Sequence, residues 1–324
     1  MAKTNSKSSL VKGFRRAGAE FAYTLRMNLG KAVYGTPTEM ARARGVLRKA
    51  AQDATTKMTR AGSIWLNSPA TIEAMVILGQ RSAATQVGIK FGGPNTKLIQ
   101  QLKLDTARDL SRAAHSTTPF LETTLRKATV IATEQLREQG TLTQSTSVDD
   151  FNKALSKSLL SSAQAEKVSR QSSKKLLEDL GLDKGDRVLF MSGRTMEADA
   201  YAKLVTRTRT MEALNKAKAA ELTANGYQFI ETSEHDGVEE DDICYFLQGK
   251  VWALAPNEEG IPVLPEEYGL PPWHPNCAHT FGAWQPKFEG KDAVDKAVDS
   301  HADDDEVLAE FGGKTSKPKG DDNE

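Results

Sequence analysis

From about residue 10 to residue 185 the chain is written in Ala, Leu, Lys, Arg, Glu and Gln, and its punctuation is that of helices. In TPTEMARARGVLRKAAQ, Thr36 stands at an N-cap, Pro37 at the first helical position, where a missing N–H costs nothing, and Glu39 three residues after the cap. The pattern predicts a helix over about 37–60. Ser68 and Pro69 repeat the start before ATIEAMVILGQRSAA, and further helices are expected over about 95–114, 118–138 and 149–180, the last two closed by Gly140 and Gly181. No repeat of fixed period runs through this half.

The texture changes at about 186. RVLFMSG is a short apolar run stopped by glycine and reads as a strand; a helix over about 196–225 follows, then YQFIETS and KVWAL as two more strands. Pro256, Pro262, Pro265, Pro271 and Pro272 then impose a long irregular loop. The fold class is therefore α+β: a basic disordered tail over 1–9, a helical region over 10–185, a small mixed α/β domain with a proline-rich loop over 186–290, and a flexible acidic tail over 291–324 with one short amphipathic helix. At 100° per residue, Leu204, Met211 and Leu222 share the expected buried stripe of the 196–225 helix, flanked by Tyr201 and Leu214. Thr208 and Asn215 lie inside the stripe and Arg207 on its edge, so these polar groups need partners, either as satisfied core residues or in orienting a site.

Charge separates the ends. Residues 1–50 carry eleven Lys or Arg against Glu20 and Glu39, a net +9, and residues 291–324 carry a net −6, while the whole chain has a formal net charge of zero. No global field draws it to nucleic acid or membrane. The basic N-terminus is followed by no apolar run of secretory length, so the chain is expected in the cytosol. Two cysteines cannot build a disulfide framework, which fits a reducing compartment.

The chemistry is concentrated. Five of the seven Cys and His residues, His235, Cys244, His274, Cys277 and His279, fall between 235 and 279. Thiolate and imidazole donors in a set of four suit tetrahedral Zn²⁺, and His274, Cys277 and His279 with the distant Cys244 supply a Cys2His2 set. Pro275 biases His274 toward extended backbone, and Cys277 and His279, two apart on an extended segment, point the same way. Three other readings stand beside the metal: a hydrogen-bonded knot of buried residues, a Cys244–Cys277 disulfide formed once outside the cell, and a cysteine nucleophile with a neighbouring histidine oriented by Asp242 or Asp236.

Taken in order, AYAKLVTRTRTMEALNKA, NGYQFIETSEHDG, DDICYFLQGKVWAL and LPPWHPNCAHTF resemble the phage minor capsid protein 2 family, related to head morphogenesis proteins of the phage Mu F type. The likeness spans about 200–285 and singles out Arg207, Thr208, Asn215, His235, Cys244, Gln248, Gly249, His274, Pro275, Cys277 and His279. Ala278 departs from it, standing where an arginine is common, and Asp241 stands where a CxxC would place a second cysteine. The resemblance implies a structural virion protein at the portal or inner face of the phage head, acting in head assembly and in DNA packaging or ejection. Its implied partners are the portal protein, the major capsid protein and packaged DNA, with no membrane. No enzyme activity is expected; the rival readings are a capsid-borne hydrolase or transferase using the Cys/His cluster, and a zinc-stabilised nucleic-acid-binding module.

Overall fold

The computed structural model describes residues 5–35, 37–69, 71–138, 174–182, 187–189, 195–235, 238–239, 242–266 and 268–302. Its elements are α1 (Asn5–Tyr34), α2 (Pro37–Leu66), α3 (Ile72–Gln86), α4 (Thr96–His115), α5 (Thr117–Glu138), β1 (Arg187–Leu189), β2 (Thr195–Glu197), α6 (Ala198–Ala224), β3 (Phe229–Thr232), α7 (Ile243–Leu247), β4 (Val251–Ala253), β5 (Phe281–Trp284), α8 (Pro286–Glu289) and α9 (Lys291–Asp299). The chain is mostly helical with a small antiparallel sheet, as its α+β texture predicts. It forms two compact units, one of residues 3–65 and 107–203, the other of residues 1–2, 66–106 and 204–324. The boundary expected at about 186 falls on residues outside those described, as does most of the helix expected over 149–180, of which residues 174–179 are helical.

In the first unit, α1 and α2 run antiparallel: Gly13 meets Ala61, Glu20 pairs with Lys57, and the Arg44 side chain donates to the Ala32 carbonyl at 3.1 Å. Leu10, Phe14, Ala17, Phe21, Leu25, Leu29 and Ala32 are buried at steps of three and four, and Met40, Ala43, Leu47, Ala51, Ala54 and Met58 answer them from α2. The ring of Phe21 packs edge-on against Phe120 of α5, 6.2 Å between centroids. Helix α1 begins at Asn5, inside the stretch expected to be a disordered tail, because the apolar stripe that starts at Leu10 has a partner surface.

Of RVLFMSG, Arg187–Leu189 form β1, which pairs antiparallel with β2 in a two-stranded sheet of its own, Val188 opposite Met196; the rest of the stretch lies outside the described residues. The three-stranded sheet of the second unit has the order β4-β3-β5, all antiparallel. Its third member is Phe281–Trp284, a strand not expected from the sequence, which begins at the last residue of the histidine motif. Ile230, Trp252 and Phe281 face one core with Leu222, Leu247 and Leu264; Phe229, Val251 and Trp284 face another with Ile261 and Ala297. Both faces are covered, so these short strands are apolar without clean alternation.

Helix α6 departs from the expected stripe. Leu204 and Met211 are only half-buried, whereas Ala213, Asn215, Ala217, Lys218, Ala219 and Leu222 are buried. Small residues take over because α3 comes close: a Cβ built on Gly79 would stand 2.3 Å from the Leu214 carbonyl oxygen and 3.1 Å from the Ala217 Cβ. Gly79→Ala is therefore expected to force the two helices apart and cost about 1–3 kcal/mol, read as a lower midpoint in thermal unfolding. Gln80, also buried, donates to Glu221 at 2.9 Å and accepts from the Asn95 backbone N–H at 2.9 Å.

Between β4 and β5 the proline-rich loop is tied down in steps. The Ala253 N–H donates to the Pro262 carbonyl and the Leu264 N–H to the Ala253 carbonyl, both at 2.9 Å, so Val263 makes a parallel bridge that covers the β4 edge. The Trp273 indole then donates to the Gly269 carbonyl at 2.9 Å. In the expected acidic tail, α9 packs Ala293, Val294, Ala297 and Val298 onto the second core, and buried His301 follows it with Nε2 2.7 Å from the Val251 carbonyl. The rest of that tail lies outside the described residues.

Candidate metal centre

Two segments of the second unit meet at the cysteines, α7 with its cap and the loop that ends at His279. Asp242 caps α7, its Oδ1 accepting the Cys244 N–H at 2.9 Å, which fixes Cys244 in the first turn and turns its thiol fully inward. In the loop, the Cys277 N–H donates to the His274 carbonyl at 3.1 Å, closing a turn in which Asn276 takes φ 70°, a value asparagine tolerates better than most residues. The sulfurs of Cys244 and Cys277 lie 3.8 Å apart, and both thiols are free. His279, two residues on, places Nδ1 3.3 Å from the Cys277 sulfur, so the two side chains share a side as the extended spacing predicts. Cys244, Cys277 and His279 are all buried, and their donor atoms lie within 4.8 Å of one another.

The setting of the His279 ring follows from its other nitrogen. Nε2 stands 2.9 Å from Gln248 Oε1, an oxygen that also accepts the His235 backbone N–H at 3.0 Å. Accepting that second N–H identifies the atom as the carbonyl oxygen, so Nε2 carries a ring proton and Nδ1 is the nitrogen turned to Cys277. Gln248 thereby orients the His279 ring from behind, the outer partner that a metal-ligating histidine would need. Gly249 follows it at φ 65°, the left-handed conformation that lets the chain turn from α7 into β4, with its N–H on the Thr232 carbonyl at 3.2 Å.

Electrostatics divide the thiols. The hydrogen bond from Cys244 holds the Cys277 thiol well below the usual range, and the backbone N–H groups of His279 and Trp273 add to it. Cys244 is pushed up, first by that same hydrogen bond to Cys277, then by burial and by the negative charge of Asp242. One negative charge is thus favoured between two sulfurs that cannot both carry one unaided.

Asn215 is the polar anchor beneath the loop. Fully buried, it donates Nδ2 to the carbonyls of Pro271 at 2.8 Å and His279 at 3.0 Å, and its Oδ1 accepts the Thr280 hydroxyl at 2.8 Å. Arg207, expected on the edge of the buried stripe, is exposed on α6. Thr208 reaches the loop more weakly, its Oγ1 3.4 Å from the Asn276 N–H, and Pro275 is exposed. His235 is exposed as well: its ring meets His279 edge-on at 4.5 Å and its Nε2 lies 3.3 Å from the Ser233 hydroxyl. His274 stands apart from the buried three, in a second group with Asp242 and Cys244 whose donor atoms also lie within 4.8 Å of one another. Sequence reasoning missed Trp273, packed on His279 at 5.2 Å, and the Ser233–Thr280 pair, in which each backbone N–H reaches the other residue. The signal for the latter was present in Ser-x-His and His-Thr-Phe, where a hydroxyl adjoins each histidine.

A family model described as phage minor capsid protein 2 matches residues 83–307, well over half of the chain and all of this centre. Among curated proteins and solved structures, none matches it.

Proposed function

This chain belongs to the phage minor capsid protein 2 family, and we propose that it is a structural component of the phage head, seated at the portal vertex or the inner face, whose Cys/His cluster is a Zn²⁺ staple. Its partners in that role are the portal protein and the major capsid protein, with packaged DNA close by. It meets them during assembly in the host cytoplasm and stays with the virion. The observation that carries the staple is the donor geometry. Tetrahedral Zn²⁺ with Zn–S near 2.3 Å and Zn–N near 2.05 Å separates two sulfurs by about 3.8 Å and sulfur from nitrogen by about 3.6 Å. The corresponding separations here are 3.8 Å and 3.3 Å. The ion would be held by Cys244, Cys277 and His279 Nδ1, and its positive charge would let both sulfurs ionise in a buried place.

A closed structural site also argues against catalysis. The thiols and His279 are buried under the loop, and a small sheet whose longest connection is irregular gains most from such a staple. Alkylation of Cys277 in the native protein is expected to be slow and to become fast when a chelator is added. Rapid labelling of untreated protein would instead point to a reactive nucleophile. The virion role is tested by mass spectrometry of purified particles: peptides of this chain are expected in DNA-filled heads and cross-linked to the portal protein. Their absence from both filled heads and assembly intermediates would overturn it.

A further inference from the structure

The first unit carries a groove of about 380 Å³ between α1 and α2 that its own core does not fill. The two helices come close at Gly13, where an added Cβ would stand 2.6 Å from the Ala61 Cβ. The floor is therefore made of short side chains, Gly13, Ala17 and Ala61, with Ile64 beside them, 57% exposed. Arg16, Lys57 and Arg60 form the rim, and no acid stands among the lining residues. Glu20 lies one turn beyond and holds both Arg16, at 2.9 Å, and Lys57 on its carboxylate, so the three cations outnumber the nearest acid by two. The same face continues along α1 at helical spacing through Tyr23 and Met27, 62% and 59% exposed. A nucleic-acid interface is polar and draws on charge, and it has little use for an apolar floor with exposed Ile, Tyr and Met side chains. A cationic rim around an apolar floor suits an acidic segment with apolar side chains on one side.

The chain itself contains such a segment. Residues 303–311, DDDEVLAEF, follow the last described residue and hold five acids and no base. Val307, Leu308 and Phe311 stand at i, i+1 and i+4, a spacing that would bring them to one side of a helical turn. Net +9 over residues 1–50 and net −6 over 291–324, on a chain of zero net charge, favour association between copies over repulsion. We propose that the α1–α2 groove is the docking site for residues 303–311 of a second copy of this chain. Leu308 and Phe311 would lie on the apolar floor beside Ile64, with the acids against Arg16, Lys57 and Arg60. Groove and segment are different surfaces, so the contact is heterologous: every copy both gives and receives, and the contact repeats from copy to copy, closing into a ring where the rotation allows. It does not depend on the zinc reading.

Sedimentation velocity of the nuclease-treated full-length protein tests it. Association that grows with concentration is expected at low ionic strength, and about 0.5 M salt should reverse most of it. Arg60→Glu sets a like charge against the acids and Phe311→Ala removes the apolar anchor, so each should raise the dissociation constant roughly tenfold or more. Arg60 is exposed and neither change touches a core residue described above, so both variants should fold, which unchanged far-ultraviolet circular dichroism verifies. Mixing the two separates the proposal from a generic loss of association. The Arg60→Glu copy still gives its acidic segment and the Phe311→Ala copy still offers its groove, so the mixture should recover a dimer that neither forms alone. An unaltered chain that stays monomeric at every concentration would overturn the proposal, and so would association untouched by either substitution or a mixture that recovers no dimer. Assembly that requires added DNA would overturn it as well and give this basic face to nucleic acid.

Discussion

Replacing Cys277 by alanine is expected to abolish metal binding and unfold the sheet-bearing unit at a much lower temperature, while the α1–α2–α5 unit keeps its helical signal. The size of the effect separates a ligand from a small buried hydrophobe. Removing a well-packed thiol from a core costs about 1–2 kcal/mol. Removing a ligand of a structural zinc forfeits binding energy that is also folding energy, here on the order of 5 kcal/mol or more. The loss should also be non-additive: Cys244→Ala should do the same damage, and the double variant little more than either, since one ion is lost once. Calorimetry of the three proteins beside the unaltered chain gives these numbers directly. Additive losses near the smaller figure would indicate two independently packed thiols.

Asn215 carries the second large effect. Asn215→Leu leaves the carbonyls of Pro271 and His279 buried with lost donors and the Thr280 hydroxyl without its acceptor, a cost of about 3–9 kcal/mol at about 1–3 kcal/mol for each of the three abandoned groups. Asn215→Asp is the more discriminating change. It keeps the oxygen that Thr280 donates to but turns a carboxylate oxygen toward two carbonyl oxygens, and is expected to destabilise at neutral pH at least as much as leucine. As pH falls and the carboxyl group takes a proton, it regains one donor and part of the loss should be recovered. Denaturant unfolding of both variants at neutral and mildly acidic pH reads this; an aspartate variant as stable as the unaltered chain would mean the two carbonyls do not depend on residue 215.

How much of this was legible in the sequence depends on whether the determinant is local. Helix α2 starts at Pro37 and α4 and α5 lie within two residues of their expected bounds, because caps, prolines and apolar steps are written beside the residues they control. Phe281–Trp284 was not legible: four residues covered on both faces carry no alternation, and their partner Phe229–Thr232 lies about fifty residues away. The buried face of α6 was misread for a related reason. The sequence points to Leu204 and Met211, but the close approach of Gly79 selects alanines, and only the tertiary partner reveals it. At the candidate centre the same division holds. The shared side of Cys277 and His279 follows from spacing alone, and Asn215 was marked as a polar residue on a buried face. The separation of His235 and the role of Gln248 depend on where α7 and the loop meet, which no local pattern encodes.

The central claim is that a metal ion joins Cys244 and Cys277 and thereby fixes the loop. Metal analysis of the purified full-length protein, paired with the same analysis of Cys277→Ala, tests it most directly. Stoichiometric zinc in the first and none in the second is the predicted result. A metal-free native protein whose thermal unfolding is unmoved by added zinc would contradict it.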